Sequence, residues 1–159
     1  MTIGTLPQTD TIAFLQTKFA QSNIVIDEEV AKYLIAVAAD IPHYIQLLAS
    51  EVWQSTVNSQ GFITKEVIDE SAKKVLAYKS DYYMELFDRQ STSRKQLLKA
   101  LTMEGKNIFS AEYIKKNRLP VASTLQRAAK DMVNDGIIEK SGDTFFITDP
   151  FFKLFVAKC

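Results

Sequence analysis

Few side chains in this sequence could carry out catalysis. The chain holds one histidine, His43, and one thiol, Cys159, at its last position. A serine–histidine–aspartate arrangement would have to be built on His43. That residue stands between Pro42 and Tyr44 at the start of an apolar helical pattern, where a lone histidine is usually structural. We therefore predict no catalytic residue in this chain.

Metal and phosphate sites are equally poorly represented. No Cys and His residues cluster with the spacing of zinc ligands, and the acidic residues lack the spacing of a calcium-binding loop. A phosphate-binding loop requires the pattern G-x-x-x-x-G-K-S/T. The Gly-Lys pair Gly105-Lys106 is followed by Asn107, and Ala100 occupies the place of the first glycine. We predict that the chain holds no metal or cofactor and does not hydrolyse nucleotide by itself.

A helix-turn-helix pattern carries the clearest binding chemistry. In its second helix an apolar stripe repeats at helical spacing, and it consists of Leu125, Ala128, Ala129, Met132 and Val133. The opposite face, which includes Asp131, suits contact with base edges and phosphates when such a helix lies in the major groove of DNA. Basic residues also precede this helix and follow it. The predicted nucleic-acid-binding residues are Lys115, Lys116, Arg118, Ser123, Thr124, Gln126, Arg127, Lys130 and Lys140.

The elements that would position these residues follow the order of a winged helix. Ser141-Gly142-Asp143 joins two β-prone runs, and a short glycine-containing link between such runs predicts a hairpin. The aromatic residues of the last helix are expected to be buried. The predicted order is a helix from Leu97 that ends near Gly105, a short helix capped by Ser110, a helix from about Ala122 to Gly136, the hairpin 137–140 with 144–148, and a helix from Pro150.

The first half predicts four helices in succession. Their starts are signalled by Thr9 or Asp10, by Asp27, by Pro42 and by Thr64. The third helix has a broad apolar face that extends to Trp53, typical of a buried element, and the fourth pattern continues through Phe87. The predicted fold is mainly α: a lid-like helical bundle over residues 8–90, followed by a winged-helix domain with one β-hairpin over residues 91–159.

The charge of the chain is unevenly distributed, although its net value is zero. Residues 1–90 contain 7 Lys and Arg against 12 Asp and Glu, whereas residues 91–159 contain 12 against 7. This asymmetry supports a boundary near Ser91, and it makes the second half the better candidate for an anionic partner such as double-stranded DNA. Alternatively, the two oppositely charged halves attract each other.

The sequence predicts a cytoplasmic protein without a membrane partner. Its first residues lack the basic start and apolar stretch of a secretion signal, and no apolar run reaches the roughly 20 residues of a membrane-spanning helix. The single cysteine excludes an internal disulfide, which agrees with a reducing compartment.

Three stretches of the sequence resemble segments of a known family. Residues 40–48 look like a G-x-P-x-Y-x-Q segment, residues 119–128 look like a winged-helix turn and second helix, and residues 146–152 resemble an aromatic-x-x-Asp-Pro-aromatic ending. In order and spacing they resemble the C-terminal part of prokaryotic AAA+ ATPases of the archaeal type, a group related to the STAND nucleotide-switch proteins. In that family a P-loop domain precedes a helical lid and a winged helix.

The resemblance implies a place for nucleotide, with two departures from the family pattern. Asp40 stands where the family has the glycine of G-x-P, and the P-loop domain is missing from this sequence. The resemblance implies that Pro42 and His43 lie near the adenine of ATP held by the P-loop domain of a parent protein. The alternative is that Pro42 simply starts a core helix.

The favoured function is the non-catalytic regulatory or nucleic-acid-binding portion of an AAA+-type ATPase. Two alternatives remain open at this stage. The chain could be a stand-alone winged-helix transcription regulator, with its helical half serving for dimerisation. It could also be a protein-interaction module whose winged helix does not bind DNA.

Overall fold

Two compact units make up the chain, Met1–Tyr78 and Lys79–Cys159. The structure is a computed structural model that describes residues 7–57 and 61–159. Helix α4, Lys65–Asp88, begins in the first unit and ends in the second. The division therefore precedes the boundary predicted near Ser91. The division does not test the boundary near Ser91, but the buried Tyr83 and Phe87 of α4 favour a folding fragment that begins before it.

The described residues of the first unit form helices, together with one isolated parallel β-bridge between Val25 and Phe62. Its elements are α1 Gln8–Ala20, α2 Glu28–Val37, α3 Pro42–Thr56 and the first part of α4. Helix α1 packs on α2, and α2 packs on α3. The unit's largest enclosed side chains are Leu15, Leu34, Ile35, Leu48 and Ile68 from the helices, with Ile24 and Ile63 added from the loops.

The signals for helix starts in this unit are confirmed at three of four places. Glu28 directly follows Asp27, α3 has Pro42 in its first turn, and the Thr64 hydroxyl accepts a hydrogen bond from the Val67 amide at 3.3 Å. The prediction that Thr9 or Asp10 caps the first helix is wrong. Pro7 is the N-cap, and its carbonyl already accepts the amide of Asp10 at 3.0 Å, so Thr9 and Asp10 lie within the first turn.

The third helix is less buried than its apolar face predicts. Ile45, Leu48 and Val52 are enclosed, but the Trp53 side chain is 40% exposed. Its indole nitrogen donates a hydrogen bond to the Ser22 hydroxyl at 2.9 Å, so the ring lies at the surface with its polar end satisfied. The expectation that this broad apolar face belongs to a buried element is therefore wrong at Trp53.

The second unit has the element order of a winged helix. After the end of α4 come α5 Thr92–Leu101, α6 Ala111–Lys116, α7 Ala122–Asn134, β1 Ile138–Ser141, β2 Thr144–Ile147 and α8 Pro150–Lys158. Helix α5 packs on α7, α8 and β2, and α7 also contacts β1. The predicted fold class is confirmed, although α5 ends at Leu101 rather than near Gly105. The core includes Leu97, Leu98, Leu125, Met132, Ile138 and Phe151.

The wing is a short antiparallel hairpin. Ile138 pairs with Ile147, and Ser141 pairs with Thr144. The turn therefore consists of two residues, Gly142 and Asp143, rather than the three-residue link predicted from the sequence. Gly142 has φ +63°, as a two-residue hairpin turn requires of its first central residue.

The last helix is fixed by its N-terminal cap. One carboxylate oxygen of Asp149 accepts the amides of Phe151 and Phe152, at 2.9 and 3.2 Å. The other accepts the hydroxyl of Tyr83 at 2.8 Å. Both phenylalanine side chains are buried, which confirms the expectation for the closing aromatic helix. Tyr83, near the end of α4, is thereby part of the core of the second unit.

Candidate nucleic-acid interface

Helix α6 is held by a cap at its start and a buried ring in its centre. The Ser110 hydroxyl accepts the amide of Tyr113 at 3.1 Å, as predicted for its N-cap. The Tyr113 hydroxyl donates to the carbonyl of Glu104. Burial, and secondarily the Glu104 carboxylate, raises the pKa of Tyr113 to about 12. With this face anchored, Lys115 and Lys116 in the last turn are exposed.

The turn between α6 and α7 is made by a non-glycine residue in the left-handed region. Arg118 has φ +54°, and the amide of Leu119 donates to the carbonyl of Ile114 at 2.9 Å. This closure matches the Schellman arrangement at helix C-termini, in which glycine is the usual residue at the left-handed position. The Arg118 side chain is exposed.

Helix α7 separates its apolar and polar residues as predicted, with one exception. Leu125, Ala128, Ala129 and Met132 are buried, but Val133 is 38% exposed, so its assignment to the apolar stripe is wrong. Eight residues at 3.6 per turn place Val133 about 80° around the helix from Leu125, at the edge of the stripe. The polar residues predicted to face outward are all exposed, namely Ser123, Thr124, Gln126, Arg127 and Lys130.

Asp131 differs from the rest of this polar face. Its carboxylate accepts a hydrogen bond from the Arg94 guanidinium of α5 at 3.0 Å, and the same guanidinium lies 3.8 Å from the Asp135 carboxylate. The Arg94 side chain is 27% exposed. Asp131 therefore contributes to the packing of α5 against α7, and the charge that it adds beside Lys130 is partly neutralised.

The wing supplies one of the predicted basic residues. Lys140 on β1 is exposed, and its ammonium lies 5.5 Å from the centre of the Phe145 ring. The backbone of β2 is also fixed on its other side, because the Phe145 amide donates to the carbonyl of Gly105 at 2.8 Å. Lys106 pairs with Thr144 in an isolated antiparallel bridge. The wing is thus braced by the segment that follows α5.

The predicted basic residues of this unit carry unneutralised charge. Within residues 7–57 and 61–159, none of them forms an ion pair with a carboxylate, and the six are Lys115, Lys116, Arg118, Arg127, Lys130 and Lys140. Five further exposed cations of the unit were not among the predicted residues, namely Arg89, Lys99, Lys106, Lys153 and Lys158. Of these, Lys99 lies on α5 and Lys106 in the segment that follows it, outside the helix-turn-helix pattern on which the prediction rests.

The two residues predicted to lie near nucleotide belong to the first unit. Pro42 and His43 are both exposed at the start of α3. The two residues before Ile41, Ala39 and Asp40, have φ of +56° and +55°. The glycine of the family pattern thus corresponds to a left-handed position here, which Asp40 occupies with strain. The structure places Pro42 and His43 side by side, and it assigns them to a different unit from the basic residues.

Two features are absent from the described part of the chain, a metal site and a membrane-spanning helix. No three His, Cys, Asp or Glu side chains within it are arranged to hold a metal ion. No helix in the same residues combines the length and apolar character needed to cross a membrane.

Comparisons with known proteins give the fold of the chain. Residues 81–158 match the model of a family described as a probable winged helix domain. A Walker-type ATPase of Pyrococcus abyssi is similar in structure, with a TM-score of 0.68 over 95% of this chain at 15% sequence identity. The match covers 42% of that ATPase, so this chain spans less than half its length. No curated protein sequence matches at a significant level.

These similarities agree with the predicted fold. The winged helix is confirmed by the family model and by the element order. The resemblance to a lid and winged-helix portion of an archaeal ATPase is confirmed at the level of fold by the structural match. The family match starts at residue 81, within α4 and close to the first residue of the second unit, Lys79.

Proposed function

We propose that this chain is a non-catalytic portion of an AAA+-type ATPase and that its winged helix binds double-stranded DNA. The observation that carries the DNA proposal is the outward face of α7. It presents hydroxyls, an amide and the cations Arg127 and Lys130, all of them exposed, on a helix whose other face is buried. Lys115, Lys116 and Lys140 add positive charge on α6 and on the wing.

Each part of this surface has a defined role in the proposal. Lys115, Lys116, Arg118 and Lys140 contact backbone phosphates, which fixes the orientation of the unit on the duplex. The side chains on α7 reach base edges in the major groove. The two classes of contact predict different mutational effects, because phosphate contacts act on every sequence and base contacts act on particular ones.

The chemistry of the face favours nucleic acid over a protein partner. A protein-docking surface usually has an apolar centre with polar residues around it. On α7 the arrangement is reversed: Val121 and Val133 are exposed at its two ends, and polar side chains occupy the exposed positions between them apart from Ala122. A winged helix that docks on protein remains the second candidate, and the same titration tests it.

The ATPase part of the proposal rests on the shared fold. The parent protein would supply a P-loop domain and ATP, while this chain supplies the lid-like bundle and the winged helix. Pro42 and His43 would then line the adenine site, since both are exposed at the start of α3 after a strained turn. The isolated chain is expected neither to bind ATP tightly nor to hydrolyse it, because its sequence has no phosphate-binding loop.

The DNA proposal is tested by fluorescence anisotropy with labelled mixed-sequence duplexes at two salt concentrations. Binding should weaken with salt, and Lys115→Ala or Lys116→Ala should lower the slope of log K against log salt by roughly one each. Arg127→Ala should cost about 1–3 kcal/mol on a preferred site if it contacts a guanine, and relax preference there. Lys153→Ala, an exposed change on α8, is the matched control.

Three results would each contradict part of the proposal. Wild-type protein without salt-dependent binding to any duplex at micromolar concentration would leave the protein-interaction module as the better explanation. Charge reversal at Lys115 or Lys116 that destabilises the chain, with negligible DNA affinity throughout, would instead support attraction between the oppositely charged halves. ATP turnover by the purified chain, lost on mutating one of its own residues, would overturn the non-catalytic assignment.

A further inference from the structure

A small polar cleft lies between α5 and the end of α6. Its volume is about 240 Å³, and its lining residues are Gln96, Lys99, Ala100, Asn117 and Arg118. Two of these side chains are cations, two are amides, and none is a carboxylate. Of the five lining residues, Arg118 alone belongs to the surface assigned above to DNA.

The conformation of Arg118 is a second, independent observation. This residue holds φ +54° at the position of the α6–α7 turn where glycine is unstrained. An arginine there raises the free energy of the folded backbone relative to glycine. Backbone strain of this kind is often retained where the side chain has a function. The Arg118 side chain lines the cleft, opposite the helix that carries Lys99.

The donors of the cleft match one class of ligand. A guanidinium and an ammonium supply charge-assisted hydrogen bonds, and the guanidinium fork suits the oxygens of a phosphate. The Asn117 amide is held in place, since its nitrogen donates to the carbonyl of Tyr113 at 3.0 Å. The Lys99 ammonium lies 6.0 Å from the centre of the Phe87 ring. These contacts restrain two of the lining side chains before any ligand binds.

We propose that this cleft binds a phosphoryl anion through Lys99 and Arg118. The anion is either a backbone phosphate of DNA or a free phosphate, and only the first source rests on the proposed function. The competing role for both residues is compensation of the negative ends of α5 and α6, where cations are stabilising. The two roles predict different effects on stability. An arginine that compensates the negative end of a helix stabilises the fold, whereas an arginine that binds an anion from a strained backbone position does not.

The test uses the full chain and inorganic phosphate as the probe. NMR spectra are recorded during titration with sodium phosphate and with sodium chloride at matched ionic strength. The side-chain amide signals of Gln96 and Asn117 should shift in phosphate well beyond their shift in chloride. Arg118→Gly and Lys99→Gln should each abolish the phosphate-specific shift, and Lys153→Gln on α8 should preserve it. Arg118→Gly should also unfold at the same or a higher urea concentration than wild type.

Binding of a DNA duplex by the same variants identifies the source of the anion. If it is a backbone phosphate, each variant should weaken DNA binding about eightfold at 0.1 M salt, the effect of losing one contact with a slope of about 0.9. If the cleft takes free phosphate, the shifts persist in wild type while Lys99→Gln leaves DNA affinity unchanged or DNA binding is absent. Either result supports anion binding by the cleft. If DNA binding is absent altogether, only the proposed function is contradicted. Equal shifts in phosphate and chloride, or a destabilised Arg118→Gly that still shows the phosphate shift, would overturn the inference.

Discussion

Gly105 offers the sharpest test of how the wing is held. A Cβ atom added at this residue would lie 1.8 Å from the Phe145 carbonyl oxygen and 2.9 Å from its carbon, with Leu101 at 3.2 Å on another side. Carbon and oxygen approach no closer than about 3.3 Å in ordinary contacts. The backbone of β2 would therefore have to move by more than 1 Å in the Gly105→Ala variant. A shift of this size would break its contact with Gly105.

The expected cost follows from two contributions. Overpacking against backbone costs about 1–3 kcal/mol, and loss of the 2.8 Å hydrogen bond from the Phe145 amide to the Gly105 carbonyl costs about 0.5–1.5 kcal/mol. The free energy of unfolding of the second unit should fall by about 2–4 kcal/mol. For a unit of this size that corresponds to a drop in Tm of about 10–25 °C.

Gly136→Ala provides the matched control. Gly136 has φ +77°, but a Cβ there meets no atom within 4 Å, so the substitution costs only backbone strain, about 1–2 kcal/mol. Differential scanning calorimetry gives both Tm values, and amide hydrogen exchange distinguishes the mechanisms. The Phe145 amide should lose protection in Gly105→Ala and keep it in Gly136→Ala. Equal protection in the two variants, with equal Tm, would refute the steric argument.

Three further predictions concern the unit boundary, a titration and a strained turn. A fragment 79–159 should fold, whereas a fragment 91–159 should give poorly dispersed NMR spectra. The shorter fragment lacks the buried Tyr83 and Phe87, each of which stabilises the fold by about 3–5 kcal/mol. Well-dispersed spectra from both fragments would contradict this. The pKa of Tyr113, about 12, exceeds its ordinary value of 10, so the folded state holds that proton more tightly. The resulting stability is complete below pH 10 and lost as pH rises through about 12; Tyr113→Phe should remove this loss and one late phenolate from the ultraviolet titration. Asp40→Gly should stabilise the first unit by about 0.5–1 kcal/mol, because glycine adopts a positive φ without strain. Urea unfolding followed by Trp53 fluorescence should then show a higher midpoint. An unchanged or lower midpoint would show that Asp40 is not strained.

The order of elements could be predicted from the sequence because its signals are local. Ser110 and Thr64 cap their helices through their own hydroxyls, which accept amides three residues on. Gly142 and Pro150 fix a turn and a helix start by their backbone preferences alone. Such features need no knowledge of the rest of the fold, so a single sequence suffices to predict them.

The errors lie where distant residues decide the outcome. Trp53 continues an apolar face but meets Ser22 at the surface, and Asp131 belongs to a polar face but pairs with Arg94 from another helix. The contact of Gly105 with β2 has no local signal either, because in the sequence Gly105 indicates only the end of a helix. Each case depends on tertiary packing, which neither periodicity nor local propensity encodes.

The exposed face of α7 could be predicted from the sequence for a related reason. Exposure on α7 follows from periodicity once Leu125 and Met132 are placed in the core, so the outward residues could be named from the sequence. What the site binds depends on the side chains rather than on the shared fold, because winged helices serve several functions. A 15% identity to the archaeal ATPase carries no side chain over to this chain. The argument for DNA therefore rests on six exposed cations with no carboxylate partner in the described residues, and the salt dependence of binding measures that property directly.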